Sequence, residues 1–226
     1  LRLDAPDVNA SEYKFTVNDE GRIIYGLGAI KGVGEGPVEA ITEARQEGPF
    51  KDLFDFCARV DLKRINKRTL DGLIRSGALD RLGPCFHDEP KAYQASIDQN
   101  RAILLAALEG AIKAAEQTAR THDSGHDDLF GGVFVAEDAD VYVNHRKAKE
   151  LMLKERLKGE KDTLGLYLTG HPIDEYEGEI RRFARQRIID LKPARDTQTV
   201  AGMIIALRVM KNKKGDKMGF ITLDDR

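Results

Sequence analysis

Gly26-Leu27-Gly28-Ala29-Ile30-Lys31-Gly32-Val33-Gly34-Glu35-Gly36-Pro37 is the stretch from which the rest of the chain can be read. Read as a nucleoside-triphosphate loop it fails, because no Gly-Lys-Ser/Thr follows at the right spacing. Read as a dinucleotide fingerprint it also fails, because Lys31 stands where the third glycine belongs. What remains is Ile30-Lys31-Gly32-Val33-Gly34, apolar-x-Gly-apolar-Gly, the spacing of a tight hairpin between two helices. Gly32 and Gly34 permit positive φ and close backbone approach, Val33 plugs the gap between the helices, and Pro37 is pre-set for a first helical turn. Main-chain N–H groups at such a helix start face an anion. A phosphate held this way is held whatever the base sequence. Glu35 speaks for the plainer alternative, a tight turn with no ligand, since it sets a negative charge where phosphate would approach.

The pattern is the helix-hairpin-helix form, and its surroundings suit it. Upstream, Tyr13–Val17 and Arg22–Tyr25 flank Asn18-Asp19-Glu20-Gly21, the punctuation of a small β-hairpin. Downstream to about Leu82, apolar residues recur at three- and four-residue spacing between glycines, which predicts short packed helices. Lys63, Arg64, Lys67 and Arg68 gather around a second turn at Ile65-Asn66, placed to pair with the first. Ile97, Leu104, Leu105, Leu108 and Ile112 predict a long amphipathic helix from Tyr93 to about Arg120. Thr121–Gly132 breaks it with Asp, Ser, Gly and His. A further helix is expected from Lys147 to Leu157 and a short one over Tyr176–Phe183. Strand-like Thr199–Met210 and Met218–Leu223 are joined through a Lys-rich loop. The fold class is α+β, mainly helical.

A net charge of −2 argues against a uniformly basic nucleic-acid coat, but the charge is segregated. Asp123, Asp127, Asp128, Glu137, Asp138 and Asp140 lie in a stretch with no Lys or Arg, whereas Arg208, Lys211, Lys213, Lys214 and Lys217 face Asp216 alone. The expected DNA contacts are Lys31, Gly32, Val33, Gly34, Lys63, Arg64, Lys67 and Arg68, with Arg208, Lys211, Lys213, Lys214 and Lys217 as a cationic rim in the tail. Cys57 and Cys85 form no CxxC and read as buried thiols. His122 and His126 are four apart, but Ser124-Gly125 disfavours a helix between them and no third strong ligand follows, so no metal site is expected. No nucleophile set is apparent either. No apolar run reaches bilayer length and the N-terminus has no signal pattern, which reads as cytoplasmic. A start at Leu1 and a stop after a strand-like run read as an interior piece of a longer protein.

Five separated stretches carry a family resemblance: Tyr25–Gly34, Phe50–Cys57 and Leu73–Asp80, then Leu164-Gly165-Leu166-Tyr167-Leu168-Thr169-Gly170-His171-Pro172, then Val200–Ile204 through Lys213-Lys214-Gly215 to Phe220–Asp225. In this order they resemble the alpha subunit of bacterial DNA polymerase III, the replicative C-family polymerase. The resemblance implies that residues 1–25 close a preceding fingers region and 26–120 form a helix-hairpin-helix domain. It makes 121–145 an exposed linker with a clamp-binding motif, 146–196 a helical connector, and 197–226 the first strands of an incomplete OB-fold. It implies that His126-Asp127-Asp128-Leu129-Phe130 docks on a sliding clamp, with Leu129 and Phe130 as anchors. Here His126 replaces the usual Gln, and Asp127 stands where an apolar residue is common. Implied partners are duplex DNA, single-stranded template, the clamp and other polymerase subunits, with no membrane. No cofactor is expected in this segment, because the family's Mg²⁺-binding palm aspartates match nothing here. The alternative is a stand-alone nucleic-acid-binding or scaffold protein. A nucleotide-binding enzyme using the glycine loop is a further one.

Overall fold

The structure is a computed structural model describing residues 3–123, 140–184 and 186–225, with the side chains of 122 and 123 left aside. Two compact units divide the chain after Thr169.

In the first unit, β1 (Leu3–Asp4), β2 (Thr16–Val17) and β3 (Ile23–Ile24) form a small sheet in the order β1-β3-β2. The expected hairpin is its antiparallel β2–β3 pair, and β1 adds a parallel third strand. Helices α1 (Glu35–Arg45), α2 (Leu53–Arg59) and α3 (Lys67–Arg75) follow. Asp52 caps α2 by accepting the N–H groups of Phe54 and Asp55. Arg59 reaches back to the carbonyls of Ala44 and Gly48, meeting acceptors left over at the end of α1. α4 (Pro90–Asp123) is the long helix, about 50 Å at 1.5 Å per residue, and lies along α2 and α3. The first-unit core gathers Leu27, Ile41, Phe56, Leu70, Leu73, Ile74 and Leu104, each fully buried.

The expected helix at Lys147–Leu157 is displaced: α5 runs Leu153–Leu164. Glu155 accepts the Met152 N–H at its start, and Gly165 at φ +78° ends it. Its inward face carries Arg156, Glu160 and Thr163 beside Leu157 and Leu164, so hydrophobic periodicity cannot place it. Residues 140–151 instead form a strap along α4: Gln99 donates to the Arg146 and Ala148 carbonyls, and Leu151 N–H donates to Asp98 O. Tyr142 pins the strap. Its hydroxyl donates to Leu82 O (2.6 Å) and accepts Leu53 N–H (2.8 Å), and burial raises its pKa.

In the second unit a 3₁₀ turn at Pro172–Tyr176 leads into α6 (Glu177–Phe183). β4 (Met203–Lys211) pairs antiparallel with β5 (Lys217–Asp224) across an Asn212–Asp216 loop with Gly215 at φ +90°. Among the described residues no helix is long and apolar enough to cross a membrane.

Candidate nucleic-acid interface

The glycine loop is anchored by side chains and exposed by main chain. Ile30 (1% exposed) and Val33 (4%) turn into the core, while Lys31, Gly32, Gly34 and Glu35 stay outside. Gly32 has φ +87°, and nothing lies within 4 Å of where its Cβ would be. Gly34 is the N-cap of α1 and supplies no side-chain acceptor. The N–H groups of Gly32, Gly34, Glu35 and Gly36 therefore have no acceptor among the described residues, and Pro37 has no N–H to lose. These donors sit at the positive end of an 11-residue helix. The loop cannot swing freely, because Lys31 N–H donates to Thr163 O (2.8 Å) and the Tyr25 hydroxyl donates to Leu164 O (2.9 Å). The last carbonyls of α5 thus find their donors on either side of the loop.

A second hairpin, α2 to α3 through Val60–Asn66, meets the first. Asn66 caps α3 by accepting Thr69 N–H (2.9 Å), leaving the Lys67 and Arg68 amides without an acceptor. The Thr69 hydroxyl stands 3.4 Å from Gly32 O and 3.2 Å from Asn66 Oδ1, its one proton shared between them, and a Cβ on Gly72 would stand 4.0 Å from Lys31 O. Two helix N-termini are thereby set on one glycine turn. Of the cations read from the sequence, Lys31, Lys63 and Arg68 are exposed and form no ion pair among the described residues. Lys67 reaches Glu109 at 3.4 Å with both side chains 63% exposed, a pair of little strength. Arg64 is engaged: its two terminal nitrogens bond Glu43 (2.8 Å) and Glu39, one turn apart on α1. Val33 is a core plug and presents no surface to a ligand.

Behind this surface lies a buried ion network. Arg101 is 1% exposed and bonds Asp80 through two nitrogens and Glu160 Oε1 at 2.9 Å. Glu160 also accepts the N–H groups of Leu168 and Thr169. Burial opposes the charge on Arg101, but the attraction and hydrogen bonds of Asp80, with further help from Glu160, override it and raise its pKa. Tyr93 donates to Asp80 (2.6 Å), and burial first, then Asp80, raises the phenol's pKa. Arg156 adds Asp98 at 2.7 Å. Sequence reasoning missed this set, although one signal was present. Arg101 falls on the same helical face as Ile97, Leu104 and Leu108, where an isolated charge requires a partner.

In the tail, the pairing sets Lys211 directly across from Lys217, with Lys213 and Lys214 in the loop beyond. Arg208 pairs with Phe220 on the opposite face of the hairpin. The sequence-adjacent cations therefore divide between two faces. The strip His126, Asp127, Asp128, Leu129 and Phe130 lies outside the described residues.

Residues 1–86 match the family model described as the helix-hairpin-helix motif, the class of fold to which the glycine turn and its helices belong. The chain is 92% identical over all 226 residues to DNA polymerase III subunit alpha of Pseudomonas fluorescens and 81% identical over 227 positions to that of Pseudomonas aeruginosa. It is 45% identical over 230 positions to the same subunit of Escherichia coli K12. The family resemblance read from the sequence is shown: from end to end the chain corresponds to part of DNA polymerase III subunit alpha. It spans about a fifth of the length of these relatives, 19% of the two Pseudomonas proteins and 18% of the third.

Proposed function

We propose that this chain is the DNA-holding and clamp-tethering segment of a replicative DNA-directed DNA polymerase, with the polymerising centre and its Mg²⁺ outside it. One observation carries the reading: two helix N-termini with unmet amides converge on an exposed glycine turn flanked by Lys31, Lys63 and Arg68. An unpaired donor in water is ordinary, but several in register beside free cations are a phosphate cradle. It grips backbone and leaves base sequence unread. The tail supports a further contact with single-stranded template. Like charges directly across a strand pair are destabilising, and an anion beside Lys211 and Lys217 would relieve that. Leu129 and Phe130 are the proposed clamp anchors, and a tether of this kind acts by raising the polymerase's effective concentration at its primer end.

The test is a duplex-binding titration of the chain across salt concentration, repeated with Lys31, Lys63 and Arg68 changed to Ala. Each lost phosphate contact lowers the slope of log K against log salt by about 0.9. A slope indifferent to all three changes would remove the cradle. For the tether, replacing Leu129 and Phe130 by Ala is expected to abolish clamp pull-down while leaving the thermal melt unchanged, and undiminished capture would sink the docking assignment.

A further inference from the structure

Of the four second-hairpin cations read as DNA contacts, Lys63, Arg64, Lys67 and Arg68, Arg64 is the one held by two carboxylates at once. It sits in the Val60–Asn66 loop, just before the α3 cap, with its guanidinium forked between Glu39 and Glu43. Those two carboxylates are four residues apart on α1, so they stand one above the other on a single helix face. The Arg64 side chain is 30% exposed, against 56% for Glu39 and 66% for Glu43, and it is the least solvated member of the cluster. α1 begins at the glycine turn and α3 begins at Asn66. The fork therefore ties together the two helices whose N-termini make the cradle. Elsewhere Arg59 of α2 bonds the Ala44 carbonyl at the far end of α1 (2.6 Å), and beside the glycine turn the bonded link described is Thr69 to Gly32, long at 3.4 Å.

We infer that Arg64 is a positioning residue, holding the two hairpins in register through Glu39 and Glu43, and that it makes no contact with phosphate. The inference rests on the cradle reading above and changes its chemistry. The two acids, which on charge alone should repel DNA, become necessary to the grip. A planar guanidinium suits the task because its two nitrogens can serve two carboxylates at once, which an ammonium does less well.

The experiment is a mutant cycle on duplex affinity in the whole chain, using Arg64→Gln, the pair Glu39→Gln with Glu43→Gln, and all three together. If Arg64 works through the acids, its removal weakens binding by about fivefold in the parent chain and by less than about twofold once the acids are gone. The salt slope should be the same for the parent chain and Arg64→Gln, since no phosphate contact is lost. A loss from Arg64→Gln that is equal or larger in the acid-free background, or a slope lowered by about 0.9, would mean that Arg64 meets phosphate itself and would overturn the assignment. All three residues of the cycle, Arg64, Glu39 and Glu43, lie at the surface or half-buried, so thermal melts serve to confirm that the variants fold. If the parent chain binds no duplex at low salt, the cradle falls and this inference with it, an outcome distinct from binding that ignores the acids.

Discussion

The first unit buries charge inside a closed apolar core, whereas in the second the β4–β5 hairpin has large apolar side chains that no described residue of this chain covers. Arg101, Asp80 and Glu160 are inside the first unit at 1%, 3% and 0% exposure. In the second, Leu207, Val209 and Ile221 on one face of the hairpin, and Met210, Met218 and Phe220 on the other, are all exposed. The lesson concerns where order comes from. A core closed on several helices supports the expense of desolvated ions, and in return the ions fix α4, the Leu79–Leu82 turn and α5 in one arrangement. A two-stranded ribbon has only its ladder and its turn, and an isolated pair of strands is marginal.

The largest expected effect tests the buried half of that contrast. Arg101→Ala leaves Asp80 and Glu160 uncompensated and is expected to cost about 3–5 kcal/mol in urea unfolding, a large part of the 5–15 kcal/mol of a typical domain. A loss below about 1 kcal/mol would mean that water reaches the network and that it is not a true interior. Next comes the apolar core beneath the cradle: Leu73, fully buried on α3, should cost about 2–5 kcal/mol as Leu73→Ala.

How far the sequence foretold this contrast depends on which force sets each element. Alternation and turn residues revealed both hairpins, because β2–β3 and β4–β5 are local pairings. The α4 stripe was legible at Ile97, Leu104 and Leu108, all buried as expected. α5 was not, since its buried face is partly ionic and its partners Arg101 and Asp98 lie dozens of residues away. At the site, Gly32 was readable as a backbone requirement and has φ +87°, whereas Gly34, read the same way, has an ordinary φ of −82° and open space where a Cβ would stand. The engagement of Arg64 was hidden, because a Lys/Arg run shows charge but not which carboxylate a fold brings beside it. The Glu39/Glu43 spacing and the Asn66–Thr69 cap were the available cues.

A smaller effect sharpens the first unit's side by pH. Burial, with a contribution from Asp52, pushes the Cys57 thiol up from its ordinary 9.0 to about 12. The fold thus favours the protonated thiol, and its contribution is fully present below pH 9 and lost as pH rises toward 12. At pH 10 the loss is about 1.4 kcal/mol, from one pH unit above the unfolded value. Comparing Cys57→Ala with the parent chain between pH 8 and 10 should show the parent losing more stability. Parallel curves would place the thiol in water. In the same sense Cys57 should resist alkylation in the folded chain, whereas half-buried Cys85 reacts sooner.

The smallest effect is the one that most directly threatens the comparison. Leu207 lies in the middle of β4 opposite Ile221, in a position that in most sheets would be core, yet it is 61% exposed. If that exposure is the state in solution, Leu207→Ser removes apolar surface that was never withdrawn from water, and stability should change by no more than about 0.5 kcal/mol. Strand propensity falls a little with the change, which already uses up part of that margin. Solubility should improve, since the hairpin presents apolar side chains on both faces. The same substitution in a covered strand would cost about 2 kcal/mol or more, because a buried methyl-rich side chain would be exchanged for a hydroxyl without a partner. Urea unfolding at two protein concentrations distinguishes the cases. A large and concentration-dependent loss would show that the ribbon is covered by a second copy, and the two units would then obey one rule, each burying its apolar face.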